Sequence, residues 1–202
     1  MIIYRQLRTI FLLLMLPVIA WLLPIHSWGV DVDNDSLLHI QTQIVDGKCY
    51  VIDNTIYLDL NSNIYLDNEP IEALKNGLPL SFLYQIELKE ADKWFADKVS
   101  LTRDIHLNYN PVAQTFLYED PITLKQVNHP SLEQALTAIG SMKSLPLIEV
   151  KQLPLSENAH AVNIRVRFLL NEELLPVSLR FGALFSKEWN IKSGWWTCRL
   201  AV

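Results

Sequence analysis

Two stretches, residues 80–88 and 162–170, carry an apolar side chain at every second position, and this periodicity restricts the fold more than any other feature of the chain. In the first, Leu80, Phe82, Tyr84, Ile86 and Leu88 fall on one side, with Ser81, Gln85, Glu87 and Lys89 on the other. In the second, Val162, Ile164, Val166, Phe168 and Leu170 alternate with Asn163, Arg165 and Arg167. A period of two marks a strand with one buried face. Five apolar side chains on that face pin its register, because a slip of one residue would expose them all.

Shorter versions of the pattern surround these two. Leu38, Ile40, Thr42 and Ile44 predict a first strand, Asp46-Gly47 a hairpin turn, and residues 48–53 the returning strand. Ile56, Leu58 and Leu60 predict a third, so the domain is expected to open as a meander. Val99, Leu101, Ile105, Leu107 and Tyr109 predict another strand, with Arg103 on its apolar face, followed by a turn at Asn110-Pro111 and a partner over residues 112–118. An inward arginine reads either as a ligand-facing group or as a bulge or strand-end salt bridge. Val177, Leu179, Phe181, Ala183 and Phe185 predict a further strand.

Helical signals are few. Residues 69–76 form a short helix stopped by Gly77, and residues 131–142 carry a capping-box pattern in Ser131 and Gln134. Leu132, Ala135, Leu136 and Ile139 form a stripe for packing on a sheet, and residues 171–175 make a helical turn ended by Pro176. The expected fold is mainly β, an antiparallel sandwich or strongly curved sheet with one or two short helices packed on it.

A different signal precedes this domain. Residues 9–30 are uncharged and apolar, long enough to cross a bilayer. Arg5 and Arg8 before them, and Asp31, Asp33 and Asp35 after, orient the N-terminus to the cytoplasm and the remainder to the exported side. Residues 1–30 therefore read as a signal anchor or signal peptide, and residues 31–202 as one extracytoplasmic domain. Ser27-Trp28-Gly29 would suit cleavage before Val30; the length of the segment, with Trp21, Pro24 and Trp28 at its outer end, favours a retained single-pass anchor in the inner membrane. Cleavage would leave a soluble periplasmic protein.

Removing Arg5 and Arg8 from the 17 basic residues leaves 15 against 22 acidic ones, a net charge of −7. A domain that acidic, with its cations scattered singly, is a poor nucleic-acid ligand. Cys49 and Cys198 are the two cysteines, and an oxidising compartment would allow them to bridge, the alternative being two buried thiols.

Catalytic and metal patterns do not emerge. Asp31, Asp33 and Asp35 resemble the start of a calcium loop, but Ser36 and Thr42 stand where that loop needs glycine and glutamate. His39, His106, His129 and His160 lack close metal-ligand spacing. There is no GxSxG elbow and no phosphate-binding glycine loop. No enzyme activity, metal or cofactor is expected. The candidate binding residues are Trp189, Trp195 and Trp196, interleaved with Lys187, Lys192 and Arg199, together with Arg103, Arg165 and Arg167. Each has a plainer reading. The tryptophans could cap the core, and the two β-strand arginines could form a solvated face.

Glu72-Ala73-Leu74-Lys75-Asn76-Gly77-Leu78-Pro79-Leu80, Ser131-Leu132-Glu133-Gln134-Ala135-Leu136 with Ile139-Gly140, and Leu174-Leu175-Pro176 followed by Ser186-Lys187-Glu188-Trp189 give the chain a resemblance to a proteobacterial exported family, domain of unknown function 4390. The resemblance runs over residues 39–196. It implies an exported, membrane-associated domain often encoded near a two-component sensor histidine kinase, and brings no catalytic or ligand residues. The expected function is a non-enzymatic, membrane-anchored extracytoplasmic interaction module, with a membrane or periplasmic protein such as a sensor kinase as partner. The alternatives are a periplasmic carrier of a lipid or other apolar ligand held against the residue-131 helix, and a structural envelope protein.

Overall fold

The strongest alternation forms the centre of the structure. In the computed structural model, which describes residues 41–202, β3 (Leu80–Glu90) lies between β4 (Lys98–Asn110) and β8 (Ala161–Leu170). Its pairing with both is antiparallel and unbroken, and Leu80, Phe82, Tyr84 and Leu88 are fully buried. β5 (Thr115–Asp120) and β6 (Lys125–His129) extend the β4 side, and β9 (Trp196–Ala201) pairs with β8. A second sheet holds β1 (Gln43–Ile52), β2 (Thr55–Asn63) and β7 (Ser141–Glu149) in the order β1-β2-β7. The domain is thus mainly antiparallel β, with its larger sheet curled into a half-barrel.

Among the described residues, three α-helices accompany the sheets: α1 (Asn68–Lys75), α2 (Leu132–Gly140) and α3 (Val177–Phe185). Ser131 caps α2 by accepting the Gln134 amide at 3.2 Å. Ala135 and Ile139 bury the inner face of that helix among Leu58, Leu60, Phe82 and Phe168 in one contiguous core. Tyr84 ties the layers together, donating its buried hydroxyl toward Ser62 Oγ on β2 and the Ile139 carbonyl on α2, each 3.2 Å away. Burial pushes that phenol above its ordinary pKa, so it stays a donor throughout the physiological range.

Packing between α2 and β2 is close enough to forbid a side chain. A Cβ at Gly140 would run into the Ser62 carbonyl oxygen. Alanine in a helix normally gains roughly 1 kcal/mol over glycine. Here the backbone collision reverses the sign, and Gly140→Ala is expected to destabilise the domain by about 1–3 kcal/mol in urea titrations.

Several expectations need correction. Asp46-Gly47 is no hairpin turn: β1 runs straight through it, with a register shift between Ile44 and Asp46. A Cβ at Gly47 would lie 2.5 Å from Leu60 Cδ2 and 2.8 Å from the Asp59 carbonyl oxygen, so the glycine serves close approach within a strand. The turn is at Asp53-Asn54, both with positive φ (47° and 64°), and residues 48–52 of the expected returning strand belong to β1. Residues 177–185 form α3 rather than a strand. The second helix ends at Gly140, with Ser141 and Met142 opening β7. β6, β7 and β9 were not foreseen. Leu38, His39 and Ile40 of the first expected strand, and the apolar segment over residues 9–30, lie outside the described residues.

Candidate functional site

Because Val162, Ile164, Val166 and Phe168 are fully buried, the alternate residues of β8 are turned to the outer face of the large sheet. Register then fixes their neighbours. Arg165 stands opposite Glu87 on β3 and Thr197 on β9; Arg167 stands opposite Gln85. Arg165 forms an ion pair with Glu87, and Lys98 reaches the other Glu87 oxygen at 2.8 Å. Hydrogen bonds from Lys98 and then Arg165 hold the Glu87 carboxyl below its ordinary range. Arg167 instead donates Nε to the neutral amide oxygen of Gln85 at 2.6 Å.

Trp195 lies against this pair. The Arg165 and Arg167 guanidinium carbons are 4.7 and 4.6 Å from its ring centroid, close enough for cation–π attraction to both. Trp195 is still 37% exposed. Beside it, Trp195, Trp196, Gly194 and Lys192 face residues 41–44 across a cavity of about 320 Å³. A rigid aromatic held by two cations, one of them with only an amide partner across the sheet, can take up a planar or anionic group from another molecule.

The other proposed binding residues are elsewhere. Trp189 is 4% exposed and donates its indole N–H to Glu69 Oε2 on α1 at 2.8 Å, so it fastens the chain after α3 to the core. Trp196, one position beyond Trp195, takes the opposite face of the strand and packs on the core. Arg103 belongs to the core face, where it pairs with Asp120 at the end of β5; their side chains are 11% and 5% exposed. Its strand keeps regular register with β3, so the arginine is accommodated by the ion pair without a bulge. Cys49 on β1 and Cys198 on β9 form a disulfide with Cα atoms 6.5 Å apart, joining the edges of the two sheets.

Sequence reasoning overlooked Glu87, Gln85 and Lys98 as partners of the arginines, and also a contact between Ser81 Oγ and His106 Nδ1. These pairings arise from strand register between positions far apart in sequence, and no local pattern announces them. Among the described residues no group of three or more His, Cys, Asp or Glu side chains is placed to hold a metal ion. No described helix is long and apolar enough to cross a membrane.

The sequence profile of a family described as Domain of unknown function (DUF4390) matches residues 41–199. The chain belongs to that family. The DUF4390 match takes in β1 through β8 and most of β9, and with them Arg165, Arg167, Trp195 and both cysteines. Searches of curated proteins and of solved structures gave no match to this DUF4390 domain.

Proposed function

We propose that this DUF4390 domain is a non-enzymatic extracytoplasmic interaction module, tethered to the inner membrane by residues 9–30, that binds a protein partner through the face formed by Arg165, Trp195 and Arg167. The observation that carries this reading is the exposed Trp195, whose ring lies within cation–π range of both the Arg165 and Arg167 guanidiniums. Tryptophan and arginine are the side chains over-represented at interface hot spots, and prior ordering by the two stacks reduces the entropy lost on binding. The family resemblance suggests the exported region of a sensor histidine kinase as the partner. Trp195→Ala is expected to weaken binding to that region by about 2 kcal/mol, roughly thirtyfold in Kd, while the unfolding midpoint stays near wild type. Unchanged affinity in a calorimetric titration would remove this face from the interface.

A second reading, a carrier of an apolar ligand, draws on a groove of about 570 Å³ along α2. Ile64, Tyr65 and Leu66 line one side of it and Leu132 and Leu136 the other. Its size lies in the range of small-molecule sites. Lipid recovered from the purified domain and lost on Leu136→Asp would favour the carrier over the partner-binding module.

A further inference from the structure

Helix α3 turns an apolar stripe to solvent. Val177, Phe181 and Phe185 are 64%, 66% and 89% exposed, whereas Ala183 is buried against the domain. Four-residue spacing brings the three exposed side chains within an arc of roughly 80° on one side of the helix. Arg180 and Lys187 are exposed nearby. Such a stripe fits a membrane interface, another copy of the chain or a partner protein.

The position of Gln41 and Thr42 in the fold favours the first. Thr42 Oγ1 donates to the Tyr65 carbonyl at 3.2 Å and accepts the Tyr65 amide at 3.0 Å, two residues before the N-cap of α1. On α1, Glu69 accepts from Ser186 Oγ at 3.1 Å and from the Trp189 indole at 2.8 Å, so the segment following α3 rests on that helix. Gln41 and α3 therefore belong to the same end of the domain, the end where β8 finishes at Leu170. The loop over residues 91–97 lies at the opposite end, beyond the 11 residues of β3, a distance of about 37 Å at strand rise. In the sequence, ten residues separate Val30 from Gln41, and ten residues reach at most ~35 Å. A tether that short keeps the α3 end within easy reach of a lipid surface and leaves the opposite end at or beyond the limit of its extension.

We propose that α3 lies on the membrane, with Val177, Phe181 and Phe185 seated at the boundary between headgroups and acyl chains, which fixes the orientation of the domain. Glu172 and Glu173 in the preceding turn offset the nearby cations, so the attraction rests on the apolar area buried rather than on charge. This rests on the tethered reading above.

The test uses the full chain carrying benzoylphenylalanine at Phe185, incorporated into vesicles of phosphatidylethanolamine and phosphatidylglycerol, floated on a density gradient and irradiated. Expected are flotation, lipid-mass adducts at Phe185, none when the probe replaces Trp94 in the opposite loop, and their loss in a Val177→Asp/Phe181→Asp variant that still floats. Flotation with no lipid adduct at Phe185, or with adducts to a second copy instead, overturns membrane docking and leaves the tether standing. Failure to float overturns both.

Discussion

Reducing the disulfide between Cys49 and Cys198 is expected to lower the stability of the domain by roughly 5 kcal/mol. The two cysteines are 149 positions apart, so the bridge closes a long loop in the unfolded chain, and the loop-closure entropy it removes grows with that length. In the folded state the bridge joins β1 to β9, an edge of the small sheet to an edge of the large one. That seam is otherwise held by side-chain packing, including Trp196 against the backbone at Gly47. Urea unfolding with and without reductant should show a large fall in midpoint, and hydrogen exchange should loosen β1 before β3. A midpoint unmoved by reductant, with the thiols confirmed free, would show that the packed seam holds the sheets together without the bridge.

The second large effect lies at the pair Arg103 and Asp120. Both side chains are nearly buried, and removing one member of a buried pair leaves the other charge stranded, at about 3–5 kcal/mol. Arg103→Met should fall near the lower end, because Asp120 Oδ1 also accepts the Ile122 and Thr123 amides at 3.1 and 3.3 Å. Asp120→Asn loses both the pair and part of the turn it organises. The pH dependence has a definite sign. Burial by itself would raise the Asp120 carboxyl, but hydrogen bonds from Thr123, the charge of Arg103 and the Ile122 amide outweigh it and hold the group below its ordinary range. A carboxyl lowered on folding adds stability above its unfolded value, about 3.9, and loses it as pH falls through the folded value. The stability gap between wild type and Asp120→Asn should therefore be full at neutral pH and shrink in acid. A gap independent of pH would mean that the pair contributes through shape alone.

How much of this was legible in the sequence depends on how many constraints each element obeys. β3 and β8 are bounded by strands on both sides and buried on one face, so register and burial both impose the period of two that the sequence displays. Residues 177–185 show the same alternation and are nonetheless a helix. Val177, Phe181 and Phe185 also recur at helical spacing, and β8 already has β3 and β9 as neighbours, so no central position remains for another strand. At Gly47 a turn signal has a packing cause, whereas the turn at Asp53-Asn54 forms without glycine. β7 was hidden by Pro146, which is tolerated because β7 is an edge strand. Of the six proposed binding residues, Arg165, Arg167 and Trp195 come together on one face. Arg103, Trp189 and Trp196 face the core, because a charge or indole in the sequence does not reveal whether its partner is water or Asp120, Glu69 or Gly47.

We propose that the Arg165, Trp195 and Arg167 face meets a protein partner while the chain remains at the membrane. Photocrosslinking from position 195 in native membranes tests it most directly, with adducts identified by mass spectrometry. The expected result is an adduct to the exported region of a sensor kinase, lost when Arg165 and Arg167 are both replaced by alanine. Irradiation that yields no kinase adduct, or one that persists without the two arginines, would contradict it.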